Sequence, residues 1–166
     1  MGKILVTGGC GYIGSHIVKL LSENGEKVVV FDNLSQGSKS ALLHNGELIV
    51  GDITDKSALT ELFSSHQFEA VIHLAALVNA AESNDKADEY KAVNDQGSRN
   101  VWEAAVQAGV PYLLYASSAA VYGTPDSRDP LPESAPLHPS NTYGVTKLAG
   151  ETSLQELSTG DTRYVA

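Results

Sequence analysis

The sequence contains very little cysteine and no long apolar run. Its 166 residues include one cysteine, Cys10, which excludes an internal disulfide and any metal site built from several cysteines. No apolar stretch approaches the roughly 20 residues of a membrane helix. The N-terminal run MGKILVTGG is too short, and too interrupted by glycine, for a secretory signal. We therefore expect a soluble, cytoplasmic protein that binds neither a metal nor a membrane.

Basic residues are also scarce. Eleven lysines and arginines stand against twenty acidic residues, so the net charge is −9. Non-specific nucleic-acid binding needs a basic surface, and this composition argues against it. Small anionic ligands are not excluded, because backbone N–H groups can bind them locally. A hydrophobic content of 42% indicates one globular domain over residues 1–166.

Short apolar runs alternate with longer amphipathic stretches along the chain. The predicted strands are Lys3–Thr7, Lys27–Phe31, Leu48–Val50, Ala70–Leu74 and Tyr112–Ala116. The predicted helices are Tyr12–Asn24, Asp55–Ser65, Glu82–Ala108 and Thr142–Thr159. Strands that are apolar throughout fit a sheet buried on both faces. The alternation predicts an α/β fold with a doubly wound parallel sheet, the Rossmann fold.

Two segments near the C-terminus have no helical pattern. Prolines at 125, 130, 132, 136 and 139 predict a long loop after the fifth strand, where α/β proteins often bind ligands. The final residues DTRYVA resemble the opening of a sixth strand. A domain is not expected to stop there, so we expect a fragment, or a protein with a further part.

Three glycines follow the first predicted strand at a spacing of three residues. In TGGCGYIGSH, Gly8 allows a sharp turn, Gly11 allows a pyrophosphate to approach the backbone, and Gly14 allows close helix packing. The helix opens at Tyr12 and Ile13, whose N–H groups are available to phosphates. The alternative is a tight strand–helix turn without a ligand. The strand–turn–helix context favours a dinucleotide site.

Two acidic residues end the next strands. Asp32 lies eighteen residues after Gly14 and is placed to accept both ribose hydroxyls of NAD and to repel the 2′-phosphate of NADP. Asp52 is expected near the adenine amine, or alternatively as a nearby helix cap. We include their neighbours Asn33 and Ile53 in the predicted cofactor site.

The glycine turn, the GDI at 51–53, the HLAA at 73–76 and the Tyr-x-x-x-Lys at 143–147 occur together and in order. With this set the chain resembles the extended short-chain dehydrogenase/reductase family, and within it the UDP-glucose 4-epimerase (UDP-galactose 4-epimerase) type. The resemblance covers essentially all 166 residues. It implies an NAD-dependent isomerase that epimerises a UDP-hexose through transient oxidation at C4.

The resemblance implies that Tyr143 is the catalytic acid/base, Lys147 its partner and Ser118 a hydrogen-bonding member. Chemistry supports these roles, since a tyrosine with an ordinary pKa of about 10 is a poor base at neutral pH. A lysine and a cationic nicotinamide both favour the phenolate. Lys147 is also expected to bind the nicotinamide ribose. The alternatives are a surface contact for the Tyr/Lys pair and a cap or turn role for Ser118.

Further positions follow from the resemblance. It adds to the cofactor site Ala75, Ala76, Asn94 and Ser117, together with Tyr143 and Lys147. Asn94 is alternatively a polar residue within a helix. His16 and His73 are predicted to be structural.

The residues before VYG favour one reaction. Sugar dehydratases of this family generally carry a motif similar to Thr-Asp-Glu at these positions, whereas this chain has Ser118, Ala119 and Ala120. Alanines cannot transfer protons, so dehydration is disfavoured, and the glutamate of decarboxylases is absent at 120. Val78 replaces a lysine that some UDP-galactose epimerases carry near the cofactor phosphates. An NAD-binding module without turnover, or an epimerase for another nucleotide-sugar such as a UDP-uronic acid, stays open.

The resemblance also predicts partners. The substrate is a UDP-sugar, and the C-terminal segment that supplies most nucleotide-sugar contacts in relatives is expected to be absent from this chain. A homodimer is implied for a complete protein, through the helices near Glu82–Ala108 and Thr142–Thr159.

Overall fold

The computed structural model describes residues 2–42, 46–125, 129–158, 160 and 162–166. The strands are β1 Lys3–Thr7, β2 Val28–Asp32, β3 Glu47–Val50, β4 Phe68–His73, β5 Tyr112–Tyr115 and β6 Arg163–Val165. The helices are α1 Tyr12–Glu23, α2 Lys56–Ser65, α3 Ala87–Tyr90, α4 Ser98–Gln107 and α5 Thr142–Leu157, with a π-helical segment at Lys91–Gly97 and 3₁₀ turns at Lys39–Ala41 and Ala119–Tyr122.

The six strands of the described residues form one parallel sheet in the order β3-β2-β1-β4-β5-β6. The chain winds outward from β1 to β3, returns to β4 beside β1, and then winds the other way. The strand order therefore reverses between β1 and β4, which is where a doubly wound sheet opens a crevice at its carboxyl edge. The predicted doubly wound sheet is confirmed, and β6 forms where the terminal apolar residues indicated a sixth strand.

Each face of the sheet has its own apolar core. Val6, Val28 and Val30 pack with Val18 of α1 on one face. The opposite face packs beneath α2, α4 and α5 around Leu5, Phe31, Val71, Trp102 and Leu154. The side chains named on this second face are at most 1% exposed, and burial of each fully buried aliphatic side chain contributes about 2 kcal/mol. Packing on both faces of the sheet therefore fixes the positions of the strand ends relative to one another.

Most element boundaries fall within two residues of those predicted, which is the ordinary uncertainty of helix and strand ends. Asp55 caps α2 rather than opening it, accepting bonds from the N–H groups of Ser57 and Ala58. Thr159, at the expected end of α5, lies outside the described residues, as do positions 126–128 of the proline-containing loop.

The long helix expected over Glu82–Ala108 is divided in the structure. Turns occupy 80–86, because the Asn79 side chain accepts the N–H groups of Ala81 and Glu82. The helical run then contains the π segment, in which Asn94 is buried. None of the described helices has a stretch long and apolar enough to cross a membrane.

Candidate active site

The glycine turn joins β1 to α1 at the point where the strand order reverses. Gly8 has φ +70°, and a Cβ there would lie 2.6 Å from the Ala75 nitrogen. A Cβ on Gly14 would lie 2.2 Å from the Gly8 carbonyl oxygen, whereas one on Gly11 would meet that oxygen only at 3.3 Å. Gly8 and Gly14 are therefore required by the fold itself. Gly11 has more room, which fits a position kept small for a ligand.

The N-terminus of α1 faces the carboxyl edge of the sheet without a side-chain cap. Gly11 occupies the capping position and supplies no side-chain acceptor, and the first turn has no acidic residue. Tyr12 and Ile13 are 83% and 61% exposed. The partial positive charge of the helix end is therefore free to meet an anion.

Asp32 is the buried acid beside this turn. Its side chain is 7% exposed; Oδ2 accepts the Cys10 N–H at 2.9 Å, and Oδ1 accepts the Leu34 N–H at 2.8 Å. Each carboxylate oxygen can accept two hydrogen bonds, so one position per oxygen stays available. Burial, and after it the Asp32 charge, raise the pKa of the Cys10 thiol to about 11, which keeps Cys10 protonated.

Asp52 and Asn33 form a second polar group at the ends of β2 and β3. The Asn33 Nδ2 donates to Asp52 Oδ2 at 2.8 Å, and Thr54 donates to Oδ1 through its N–H and its hydroxyl. Partial burial acts to raise the pKa of Asp52, but these hydrogen bonds outweigh it and the pKa is lowered. Since α2 is capped by Asp55, Asp52 is not the helix cap.

Ile53 differs from its neighbours because its side chain points into the core. It is 5% exposed and packs against Gly97, where a Cβ would lie 2.8 Å from its Cδ1. Its carbonyl accepts the Asn100 Nδ2 at 3.1 Å. Only the backbone of Ile53 is therefore placed to serve a ligand.

The backbone leaving β4 is fixed by two buried side chains. The Thr7 hydroxyl accepts the N–H groups of Leu74 and Ala75, each at 3.3 Å, and contacts His73 Nδ1 at 2.5 Å. Asn94 is fully buried; its Oδ1 accepts the Leu77 N–H at 2.8 Å and its Nδ2 donates to the Leu77 carbonyl at 2.9 Å. Ala75 and Ala76 thus lie between two anchored positions.

The amide of Asn94 is occupied by protein groups, since its Nδ2 also contacts the Thr146 hydroxyl of α5 at 3.4 Å. This geometry favours the interpretation of Asn94 as a residue that positions the 75–78 segment against α5. It does so from 17 residues away along the chain. His73 is fully buried, as expected of a structural histidine.

Three side chains cap the N-terminus of α5, which holds Tyr143. The N–H groups of Thr142, Tyr143 and Gly144 donate respectively to Asn84 Oδ1 at 2.9 Å, Ser83 Oγ at 3.0 Å and Asn141 Oδ1 at 2.8 Å. Such caps are each worth about 1 kcal/mol. The half-buried Tyr143 is therefore on a rigid first turn, tied to the segment before α3.

Lys147 is 3% exposed and its ammonium group reaches the end of β5. Its Nζ donates to the Ala116 carbonyl at 2.6 Å and lies 4.5 Å from the centre of the Tyr115 ring. Burial lowers the pKa of Lys147 to about 8, and Glu151 acts in the opposite direction. Tyr143 lies close enough to Tyr115 to contribute to raising the pKa of Tyr115, after burial as the main cause. Tyr143 and Lys147 thus share the region around Tyr115.

Ser117 and Ser118 lie between β5 and the following 3₁₀ turn. The Ser118 Oγ accepts the Ala120 N–H at 3.2 Å, so the cap alternative is observed, and its own proton stays available to donate. The Ser117 hydroxyl donates to Glu151 Oε1 of α5. Both serines therefore lie at the same edge as Lys147, each with a protein partner.

Several residues of this edge were not predicted from sequence. They are Thr7, Ser83, Asn84, Ser98 and Glu151. Apart from local contacts, the hydrogen-bond partners of these residues are 25 to 68 residues away along the chain, so no periodic pattern indicates them. Glu151 alone had a local signal, because it follows Lys147 by one helical turn.

Comparison with known proteins identifies close relatives. Residues 4–166 match the model of the NAD dependent epimerase/dehydratase family. The chain is 41% identical to the UDP-glucose 4-epimerase of Yersinia enterocolitica over 170 aligned residues, which is 98% of this chain and 50% of that protein. It spans about half the length of the curated relatives it matches.

Solved structures show the same similarity. The UDP-glucose 4-epimerase of Brucella ovis in complex with NAD aligns with a TM-score of 0.92 at 38% identity, over 99% of this chain and 50% of that one. The enzyme of Thermotoga maritima with UDP-glucose aligns with a TM-score of 0.93 at 35% identity, over 98% of this chain and 53% of that one.

Proposed function

This chain belongs to the NAD dependent epimerase/dehydratase family, and on that premise we propose that it binds NAD and acts in the 4-epimerisation of a UDP-hexose such as UDP-glucose or UDP-galactose. The observation that carries the proposal is the position of Lys147. Its ammonium group is buried at the carboxyl edge of β5, one helical turn from Tyr143 and at the same edge as the glycine turn.

The residues at the glycine turn fit a dinucleotide. The uncapped N-terminus of α1 offers the N–H groups of Tyr12 and Ile13 to a pyrophosphate, and Gly11, whose own N–H donates to the Gly8 carbonyl, leaves room for it. Asp32 has one free acceptor position on each oxygen for the adenosine ribose hydroxyls. Asp52 and Asn33 are the polar groups assigned to the adenine side. The small side chains Ala75 and Ala76 leave room at the end of β4.

The chemistry assigned to this chain is proton transfer. NAD, when bound, supplies the hydride acceptor and returns the hydride. Tyr143 takes the proton from the C4 hydroxyl of the sugar and, after the keto-sugar has rotated to present its other face, returns a proton to the same C4 oxygen. The positive charge of Lys147 favours the deprotonated phenol, and the ammonium retains N–H groups for the nicotinamide ribose beyond the one bonded to Ala116. The free Ser118 hydroxyl proton is assigned to the same sugar oxygen.

Epimerisation requires only these groups, whereas dehydration needs a further acid and base. Ala119 and Ala120 cannot supply them. The second candidate is an NAD-binding module without turnover, and the observation that favours it is the coverage of about half of each relative. Another nucleotide-sugar, such as a UDP-uronic acid, is the alternative substrate. We also propose a cytoplasmic location and, through α4 and α5, a homodimer.

The test compares UDP-galactose conversion to UDP-glucose by the chain, Tyr143→Phe and Tyr164→Phe, with NAD affinity measured by calorimetry in parallel. Loss of the Tyr143 hydroxyl should lower turnover at least about 100-fold. NAD affinity should fall much less than turnover, because Tyr143 is one of many residues assigned to the cofactor and the cap on its backbone is retained. Tyr164 lies on β6 and its variant should behave as the parent.

Three results separate the candidates. Turnover that depends on Tyr143 supports the epimerase. NAD binding without turnover in the parent chain favours the binding module. Turnover that Tyr143→Phe leaves intact would overturn the assignment of Tyr143 as the acid/base.

A further inference from the structure

Glu151 lies outside every motif of the sequence, yet it contacts the strand end that holds Lys147. It follows Lys147 by four residues on α5, and its carboxylate accepts the Ser117 hydroxyl. The preceding residue, Ala116, accepts the Lys147 Nζ at 2.6 Å. Two consecutive residues after β5 are therefore fastened to two consecutive turns of α5.

Lys147 needs a counter-charge because it is almost completely removed from water. An ammonium group in such a place loses the solvation of bulk water, and a nearby anion compensates. Burial lowers the pKa of Lys147 to about 8, and Glu151 is the group that opposes this change. Near neutral pH the ammonium is thus close to its own titration range.

The other ionisable groups around Lys147 do not provide this compensation. His73, on β4, has its pKa lowered to about 3 by burial first and by Lys147 second, so it is neutral. Tyr115, on β5, has its pKa raised by burial and is neutral as well. Asp95, on the π segment, acts on Tyr115, and Tyr143 lies one turn before Lys147. Among the described groups, Glu151 is the anion that acts on the ammonium.

We propose that Glu151 is a positioning residue for the reaction assigned to Tyr143 and Lys147: its charge keeps Lys147 an ammonium ion, and its bond to Ser117 holds the 116–118 strand end against α5. The catalytic meaning of this role rests on the proposed function. The charge state of Lys147 is a property of the chain and is measurable without turnover.

Two substitutions separate the charge of Glu151 from its hydrogen bond. Glu151→Gln retains an oxygen that accepts the Ser117 hydroxyl and removes the negative charge. Ser117→Ala removes the hydrogen bond and retains the charge. If Glu151 had only a structural role, Ser117→Ala would change the titration of Lys147 as much as Glu151→Gln does. If the charge of Glu151 sets the charge of Lys147, only Glu151→Gln changes that titration.

The experiment titrates Lys147 directly in the 166-residue chain. The Cε resonances of ¹³C-labelled lysines are followed by NMR from pH 6 to 11, and Lys147→Arg assigns the signal. Glu151→Gln should lower the midpoint of Lys147 by about one pH unit, a tenfold change in proton affinity. Ser117→Ala should leave the Lys147 midpoint within about 0.3 pH units of the parent value, which is much less than the change expected for Glu151→Gln. Glu156→Gln, at an exposed carboxylate farther along α5, is the matched control and should leave it unchanged.

The outcomes distinguish this proposal from the proposed function. An unmoved midpoint in a folded Glu151→Gln chain, checked by circular dichroism, would overturn the role of Glu151 even if the parent is an active epimerase. A lowered midpoint in a chain without turnover supports the charge role and counts against the epimerase. Where turnover is present, its pH profile in Glu151→Gln should shift with the Lys147 midpoint.

Discussion

His73 lies in a buried chain of hydrogen bonds, and the donor of each bond follows from the partners of Thr7 and Ser98. The Thr7 oxygen already accepts two backbone N–H groups, so its own proton is donated to His73 Nδ1. Nε2 then holds the ring proton and donates to the Ser98 Oγ at 3.0 Å, and Ser98 donates to the Asn94 carbonyl at 2.6 Å. The imidazole is therefore neutral, and a second ring proton would break this chain.

This arrangement predicts how stability changes with pH. Burial lowers the pKa of His73 from 6.5 to about 3 in the folded protein. Below pH 6.5 the unfolded chain binds a proton that the folded chain does not, so the free energy of unfolding falls as the pH falls. The slope approaches about 1.4 kcal/mol per pH unit toward pH 5, in addition to other groups. Urea unfolding at pH 7, 6 and 5 measures it.

The comparison variant is His73→Asn. It should be less stable than the parent at every pH, but its free energy of unfolding should fall less steeply as the pH falls, because the proton taken up by His73 on unfolding is missing. His16→Gln, on the exposed side of α1, should keep the slope of the parent. Equal slopes for His73→Asn and the parent would show that His73 is not responsible.

At the scale of the element, the turn between β1 and α1 contains glycines with different structural roles. Gly14 lies inside the helix, where alanine is ordinarily favoured by about 1 kcal/mol. The carbonyl of Gly8 leaves no space for it, since the added Cβ would lie 2.2 Å from that oxygen. Gly11, at the helix cap, meets the same oxygen only at 3.3 Å. Equal spacing in sequence thus conceals unequal packing.

Alanine substitutions should distinguish the packing role of Gly14 from the ligand-binding role assigned to Gly11. Gly14→Ala should lower the free energy of unfolding by about 2 kcal/mol, because the turn must move away from the helix. Gly11→Ala should change stability by less than about 1 kcal/mol, because a small shift relieves its single tight contact. Its methyl group would occupy the face assigned to the pyrophosphate, so NAD affinity should fall at least about tenfold, or 1.4 kcal/mol. Urea unfolding and calorimetric titration with NAD give both quantities.

Similar losses of stability in the two variants would contradict the structural role of Gly14. Unchanged NAD affinity in Gly11→Ala would contradict the assignment of the pyrophosphate to this turn.

At the scale of the whole molecule, the residues assigned to NAD come from several separate segments that the parallel sheet gathers at one edge. They extend from Gly8 to Lys147, all within the chain, although its relatives are about twice as long. The carboxyl ends of neighbouring strands are level, with Thr7 opposite both Phe31 and His73, and His73 opposite Tyr115. This register brings the glycine turn, the β4 exit and the Lys147 site to one edge.

We therefore expect NAD to stabilise this chain without further segments. At a concentration of 100 times its dissociation constant, a ligand adds about 2.7 kcal/mol, which corresponds to a rise in Tm of about 5–10 °C for a domain of this size. NADP should give a much smaller rise, because its 2′-phosphate would meet the Asp32 carboxylate. Asp32→Asn should narrow the difference between the two cofactors. Thermal unfolding with each dinucleotide measures these shifts, and equal shifts in the parent chain would contradict the role of Asp32.

The sequence by itself determined the features that depend on short spans of chain. Apolar runs and their spacing predicted the parallel sheet, because a strand buried on both faces must be apolar throughout. The turn at Gly8 and Gly14, the acid at Asp32 and the helical spacing of Tyr143 and Lys147 were predicted for the same reason, since each is a local requirement. The resemblance to a family placed these features in one site.

Only the tertiary structure decided what surrounds those residues. The burial of Lys147, its Ala116 partner and the bond from Ser117 to Glu151 depend on how α5 packs against β5. From the sequence Asn94 was either a cofactor-site residue or a polar residue within a helix, and its contacts with Leu77 and Thr146, 17 and 52 residues away, could not be foreseen. The division of the helix expected over Glu82–Ala108 has the same origin. Contacts between distant segments leave no periodic pattern in a sequence, and packing alone sets the charge, support and exposure of a side chain.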